Sequence, residues 1–377
     1  MVKVTIIGWY GTETIGDRAI LSGILRILKS SLGDFSISLG SLFPILSERT
    51  LMEDRSFYTE CINSSNLAIS IFNSLSSKEL ARKIKESDFL IVGGGPLMDM
   101  SVMYMLEYAF DVARKYHVKT ALIGCGWGPL KSKEYINCSL RLIEKANLTI
   151  FRDQISLELY SQLCSTQENV YSSIDPAFFA AQYYENKISG ITRSNEYITV
   201  NFRDISLDSY EGNAIEFERK CIQTLQELLD FSSKDILLIP MHTFFIGGDD
   251  RDILIRIAKK IKNDRISIMQ NPLNLEDTMN KYYNSEICLG MRFHAIVLQT
   301  ILNGKNYIMD YTNPQYGKIK GVLNTLNISD IYQKRYISLF DEKTCFDFSE
   351  ECVRYQCNGS ILDNFLNTYI KQIKNIF

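Results

Sequence analysis

The densest group of residues able to do chemistry is Gly290-Met-Arg-Phe-His294, which follows the apolar run Glu286-Ile-Cys-Leu and leads at once into an apolar helical pattern through Leu302. A strand end that feeds a helix in this way delivers Arg292 and His294 to a helix N-terminus. There, free N–H groups and the helix dipole favour an anion. Arginine adds a rigid fork for phosphate or carboxylate. Histidine titrates near neutral pH and can give or take a proton. The spacing alone is equally compatible with Arg292 paired to a surface acid and His294 packed as a polar helix-start residue.

Only two further histidines exist. His242 follows Pro240 at the carboxyl end of an apolar run, on the same edge as His294, where ligand contact and a loop role are both open. His117 sits in Lys-Tyr-His-Val-Lys, before a strand rather than after one, and reads as a loop residue. Arg203 and Arg152 also end apolar runs, each followed by aspartate. For Arg152 a structural role is expected, with Asp153 capping the next helix. The turns Gly8-Trp-Tyr-Gly11, Gly16-Asp17 and Gly93-Gly94-Gly95-Pro96 suit close approach of backbone to a ligand, but match neither a dinucleotide fingerprint nor a P-loop. Asp249-Asp250-Arg251-Asp252 precedes an amphipathic helix and is explained by helix capping, so no metal is inferred from it.

Short β-branched runs ending at Gly-rich or polar turns recur with helical segments between them: Val4–Ile7, Phe35–Leu39, Phe89–Val92, Thr120–Ile123, Leu148–Phe151 and Val170–Ile174. This alternation predicts a parallel doubly wound sheet, in which ligands bind at the carboxyl ends of strands. The polar stretch Tyr184–Asn195 reads as a linker, after which the alternation restarts at Tyr197. The expected architecture is therefore α/β, with two Rossmann-like domains facing a cleft. They span residues 1–185 and 186–345, followed by a tail and closing helix over 346–377. Residues 46–77 and the cysteine-containing segment around Cys345 to Cys357 carry no readable period.

A length of 377 residues suits two cores rather than one. The net charge of −3 gives no basic excess for nucleic-acid binding. No apolar run approaches the ~20 residues of a membrane helix. The apolar start is too short for a signal peptide, so a cytoplasmic location is expected. The nine cysteines lack C-x-x-C spacing and read as reduced thiols.

Taken in order, Gly11 to Asp17, Gly93-Gly94-Gly95, Arg152-Asp153, Asp175-Pro176-Ala177, Asn201-Phe-Arg203, Pro240-Met-His242 with Asp249-Asp250, and Gly290-Met-Arg-Phe-His294 resemble the motif series of polysaccharide pyruvyltransferases. The resemblance covers about Val2 to Leu326. It implies a GT-B-like fold and phosphoenolpyruvate as donor, with no cofactor besides that co-substrate. It also implies transfer of pyruvate as a ketal to a sugar or lipid-linked oligosaccharide of a cell-surface polysaccharide. By that resemblance Arg203, Arg292 and His242 lie on the donor side and His294 is the acid/base or sugar-contacting residue. Gly11, Asp17, Gly94, Gly95 and Asp99 belong to the acceptor side or its loops. The first loop is longer than the usual Gly-Asn-x-Gly-Asp form, which leaves the acceptor open. A lipid-linked acceptor would add peripheral contact with the inner face of a membrane, and homo-oligomerisation stays open. The alternatives are a GT-B glycosyltransferase using a sugar nucleotide, and a non-catalytic glycan-binding protein.

Overall fold

Strands such as Phe89–Gly93 are buried along their whole length, as expected of parallel strands covered by helices on both faces. In the computed structural model eight strands form the first sheet: β1 (Val2–Ile7), β2 (Phe35–Ser41), β3 (Ile69–Asn73), β4 (Phe89–Gly93), β5 (Pro96–Leu97), β6 (Lys119–Trp127), β7 (Leu148–Phe151) and β8 (Val170–Ser172). Their order is β3-β2-β1-β4-β6-β7-β8, all parallel, with the two-residue β5 beside β6. The second sheet holds β9 (Tyr197–Val200), β10 (Asp235–Leu238), β11 (Ile266–Ile268), β12 (Ser285–Gly290), β13 (Asn306–Asp310) and β14 (Tyr336–Ser338). It is also parallel, in the order β11-β10-β9-β12-β13-β14. The structure describes all residues except 65–66, 165–167, 206–213, 245, 314, 331, 333, 341–345 and 349–351.

The chain packs as two compact units. One comprises residues 1–13, 17–180 and 359–377, the other 14–16 and 181–358. This differs from a division at 185/186 with a separate tail. The helix Ala177–Lys187 runs through the expected boundary, because Phe178, Phe179, Ala180 and Ala181 are all buried and continue the apolar period into the polar stretch. The tail divides as well. Residues 346–358 stay with the second unit, where Phe346 and Phe348 join its core. The closing helix Gly359–Ile376 returns to the first, where Tyr369 donates to the Ile174 carbonyl at 2.7 Å.

Residues 46–77, unreadable as a pattern, contain the helix Pro44–Cys61 and strand β3. The helix hides its period because its inner face is partly polar. Asp54 is 2% exposed there and takes the guanidinium of the buried Arg18, with Arg18 Nη2 at 2.7 Å from Oδ1. Tyr58 of the same face donates to the Arg18 carbonyl at 3.2 Å. A buried ion pair of this kind trades apolar burial for a mutually satisfied polar contact. Among the described residues no helix is long and apolar enough to cross a membrane.

Candidate active site

In the second sheet the strand order reverses between β9 and β12, the place where open α/β sheets bind ligands at their carboxyl ends. The segments leaving these strands and their neighbours carry the candidate residues. Asn201 to Arg203 follow β9, Met241 and His242 follow β10, Met291 to His294 follow β12, and Tyr311 follows β13.

Asp250 organises this edge. It is fully buried in the first turn of the helix Asp250–Ile261. Its carboxylate accepts from Arg292 Nε at 2.9 and 3.1 Å and from Arg292 Nη2 at 2.6 Å. It also accepts from the backbone N–H of Met241 at 3.0 Å and of His242 at 3.2 Å. Arg292 Nη2 reaches the Gly248 carbonyl at 3.1 Å, and the Arg292 N–H donates to Asn201 Oδ1 at 2.9 Å. Arg292 thus pairs with an acid, but a buried one. Anchored through Nε and Nη2, its fork leaves Nη1 with no protein acceptor among the described residues. Capping explains Asp249, which accepts from the Arg251 N–H at 2.9 Å, but not Asp250. Its inward role is invisible in a run of acids at a helix start.

His242 is 5% exposed. Its Nε2 lies 2.6 Å from the Ile246 carbonyl, which can only accept, so Nε2 carries the proton. Its Nδ1 lies 2.6 Å from Thr14 Oγ1, and in the neutral ring Nδ1 accepts from that hydroxyl. Burial, followed by the charge of Arg292, pushes the His242 pKa below its ordinary value. Both ring nitrogens are therefore engaged by protein, and His242 ties the 14–16 segment to β10, alongside a main-chain bridge between Thr14 and His242.

His294 occupies the first turn of the helix Phe293–Leu302, with Arg292 as its N-cap residue. The imidazole lies against Gly16, where a Cβ would fall 1.9 Å from Nδ1. Two residues apart, Thr14 and Gly16 thus contact the two histidines that the sequence places on this edge.

Arg203 is 8% exposed and its N–H meets Met291 Sδ at 3.4 Å. Its guanidinium carbon stands 4.5 Å from the centre of the Tyr311 ring, and Lys318 Nζ lies 5.3 Å from the same ring. Burial alone would raise the Tyr311 phenol. The charges of Arg203, Lys318 and Arg292, with a hydrogen bond from Lys318, outweigh it and bring the phenol down to about 8. Tyr311 and Lys318 were not legible as site residues. The one available signal was position, since Tyr311 follows the apolar run Tyr307–Met309 at a strand's carboxyl end.

The remaining candidates belong to the first unit, whose own reversal lies between β1 and β4. Gly11, Gly94 and Gly95 have φ of 89°, 69° and 74°, conformations that favour glycine. A Cβ on Gly95 would fall 2.3 Å from the indole of Trp9. Asp17 lies in the first turn of the helix Ile15–Leu32 and accepts from Thr12 Oγ1 at 3.4 Å. Asp99 accepts from the N–H groups of Lys131 and Ser132, at 3.1 and 2.9 Å for Oδ2, and so holds the entry to the next helix. Arg152 is buried beside Asp153 and Asp175, at 3.7 and 3.5 Å, while Asp153 caps its helix through the Ser156 N–H at 2.7 Å. His117 is exposed at a turn, with φ 56°.

Several known proteins resemble this chain. The amylovoran biosynthesis protein AmsJ of Erwinia amylovora is 23% identical over 362 residues, covering 85% of this chain and 86% of AmsJ. The UDP-GlcNAc 2-epimerase of Methanocaldococcus jannaschii, solved with UDP-GlcNAc and UDP, superposes with a TM-score of 0.55 at 13% identity, over 99% of this chain and 98% of that one. S. aureus MnaA, solved with UDP, gives 0.57 at 14% identity, over 100% and 98%. At such identities the two structures share the fold alone, an α/β architecture of two parallel-sheet domains of the GT-B-like kind. The family model described as polysaccharide pyruvyl transferase matches residues 15–313. That match covers most of the chain, from Ile15 through Asp250, Arg292, His294 and Tyr311, and by it the chain belongs to the polysaccharide pyruvyl transferase family.

Proposed function

We propose that this protein transfers the pyruvyl group of phosphoenolpyruvate to two hydroxyls of one sugar, in a cell-surface polysaccharide or its lipid-linked precursor, as a ketal. The observation that carries this reading is the gathering of Arg203, Arg292 and Lys318 at one sheet edge whose helix start also presents His294. Phosphoenolpyruvate bears a phosphate and a carboxylate, and three cations on one edge suit both. The Asp250 anchor leaves Arg292 oriented without filling its Nη1.

The chemistry needs proton transfers rather than a metal. Protonation of the methylene carbon makes an oxocarbenium-like centre at C2, which one hydroxyl attacks. A second hydroxyl then displaces phosphate. Of the two hydroxyl protons, one balances the new methyl group and the other leaves with phosphate. His294 is the proton acceptor for the attacking hydroxyl, and the cations offset charge on the departing phosphate.

The test is phosphate release from phosphoenolpyruvate with a panel of lipid-linked and nitrophenyl sugars, with product masses read in parallel. Phosphate release with a pyruvyl mass gain supports the reading. Consumption of a sugar nucleotide in place of phosphoenolpyruvate overturns it in favour of glycosyl transfer.

A further inference from the structure

Tyr311 is absent from the roles assigned so far, yet it stands where the cations meet. Its ring has the Arg203 guanidinium on it at 4.5 Å and the Lys318 ammonium at 5.3 Å, and Arg292 adds its charge from the adjoining helix start. The neighbouring carboxylate of Asp310 is occupied by Thr312 and Tyr336: the Thr312 N–H and Oγ1 and the Tyr336 hydroxyl each donate to it at 2.6 Å. The acid nearest in sequence is thus held by other partners while cations face the phenol.

From this geometry we propose that Tyr311 is a catalytic proton donor, whose hydroxyl holds its proton more tightly when an anion occupies the Arg203–Arg292–Lys318 cluster than when the cluster is empty. The inference rests on the phosphoenolpyruvate reading for its chemistry, but not for its coupling to anions. Every other described tyrosine with a resolved shift is moved upward, chiefly by burial, or by a neighbouring carboxylate in the case of Tyr104. Tyr311 moves the other way because three positive charges stabilise its phenolate. A bound phosphate or carboxylate neutralises those charges and returns the proton to the phenol. Donor binding thus keeps the acid that the reaction consumes in its protonated form.

The steps balance. The Tyr311 O–H bond breaks as the methylene C–H bond forms, leaving a phenolate and a cationic C2. The first sugar hydroxyl forms its bond to C2 and gives its proton to His294. The second forms its bond as the C2–O bond to phosphate breaks, and its proton restores Tyr311. His294 passes its proton to the departing phosphate. Nothing is oxidised or reduced.

The decisive experiment compares wild type with Tyr311→Phe, which keeps the ring over which both cations lie. Tyrosinate absorbance is titrated from pH 6.5 to 9.5, with and without inorganic phosphate. One tyrosine should ionise near pH 8 in wild type, shift upward with phosphate, and be missing in the variant. In turnover with phosphoenolpyruvate the variant should lose roughly 100-fold or more in kcat, with KM changed only a few-fold. The limb near 8 in the kcat/KM profile, which reports the free enzyme, should vanish with it. A variant that keeps kcat and the pH profile overturns the catalytic role. A titration unmoved by phosphate, or with no tyrosine ionising below pH 9, overturns the coupling. If wild type ignores phosphoenolpyruvate, the donor reading falls and the catalytic step with it, while the phosphate titration still decides the coupling by itself.

Discussion

Gly16 and His294 are in direct contact: a single methyl group on Gly16 would sit 1.9 Å from His294 Nδ1. No rotamer change relieves such an overlap, because the added carbon is fixed to the backbone, so the imidazole must move. Gly16 lies in the first turn of a long helix, where alanine is the better helix former by about 1 kcal/mol. Displacing the packed ring costs about 1–3 kcal/mol and offsets that gain, so Gly16→Ala is expected to melt at or somewhat below wild type while lowering kcat at least 10-fold. Circular-dichroism melting alongside phosphate-release kinetics checks both halves. An alanine variant with full turnover would show that the position of His294 does not matter.

Removing the imidazole tests the same group directly. His294→Ala should reduce kcat by roughly 100- to 10,000-fold, the range expected for loss of a positioned acid or base. Affinity for phosphoenolpyruvate, assigned to the cations in the proposed reaction, should change far less. Partial restoration by added imidazole would separate lost proton transfer from a collapsed pocket.

Asp250 is the support beneath Arg292. The pair is 0% and 15% exposed in its side chains, and the carboxylate also holds two backbone N–H groups. Asp250→Asn retains the shape and removes the charge, leaving a buried guanidinium uncompensated. Breaking a buried pair in this way costs about 3 kcal/mol, or a fall in Tm of roughly 6–12 °C for a unit of this size. The KM for phosphoenolpyruvate should rise as Arg292 loses its orientation. Thermal unfolding followed by donor titration reads both effects.

How much of this was legible follows from what burial does to a sequence. Strands such as Phe89–Gly93 and Leu148–Phe151, buried on both faces, are continuous apolar runs and announce a parallel sheet without help. Arg203, His242, Arg292 and His294 stand out because each leaves a strand of the second sheet at its carboxyl end, the edge at which open α/β sheets bind ligands. The helix Pro44–Cys61 was hidden because its buried Asp54 is satisfied by Arg18 of the helix Ile15–Leu32, so a polar residue stands where the period demands an apolar one. Asp250 was hidden between two acidic neighbours, Asp249 and Asp252, at a helix start where capping is the ordinary role. Tyr311 and Lys318 were hidden by distance, since the charges that make the phenol unusual come from three separate segments: Arg203 after β9, Arg292 after β12 and Lys318 in the next helix. Local pattern carries the scaffold, whereas the electrostatics of the site exist only after folding.

The link between His242 and Thr14 carries its own pH dependence. The His242 pKa in the folded protein lies below the ordinary value near 6.5, because burial and then the charge of Arg292 oppose the imidazolium. The unfolded chain therefore takes up this proton first as pH falls. The stabilisation from a neutral His242 is complete above about pH 6.5 and is lost progressively below it. The Thr14 hydroxyl can turn to accept from a protonated ring, so the loss comes from burying charge beside Arg292 rather than from breaking the hydrogen bond. In His242→Asn that loss disappears along with the two ring contacts, worth about 1 kcal/mol each. Wild type should thus melt several degrees above the variant at pH 7.5, and the gap should narrow steadily towards pH 5. A gap independent of pH would mean that His242 is not held neutral, and that the Thr14–Gly16 segment is fixed by its other contacts.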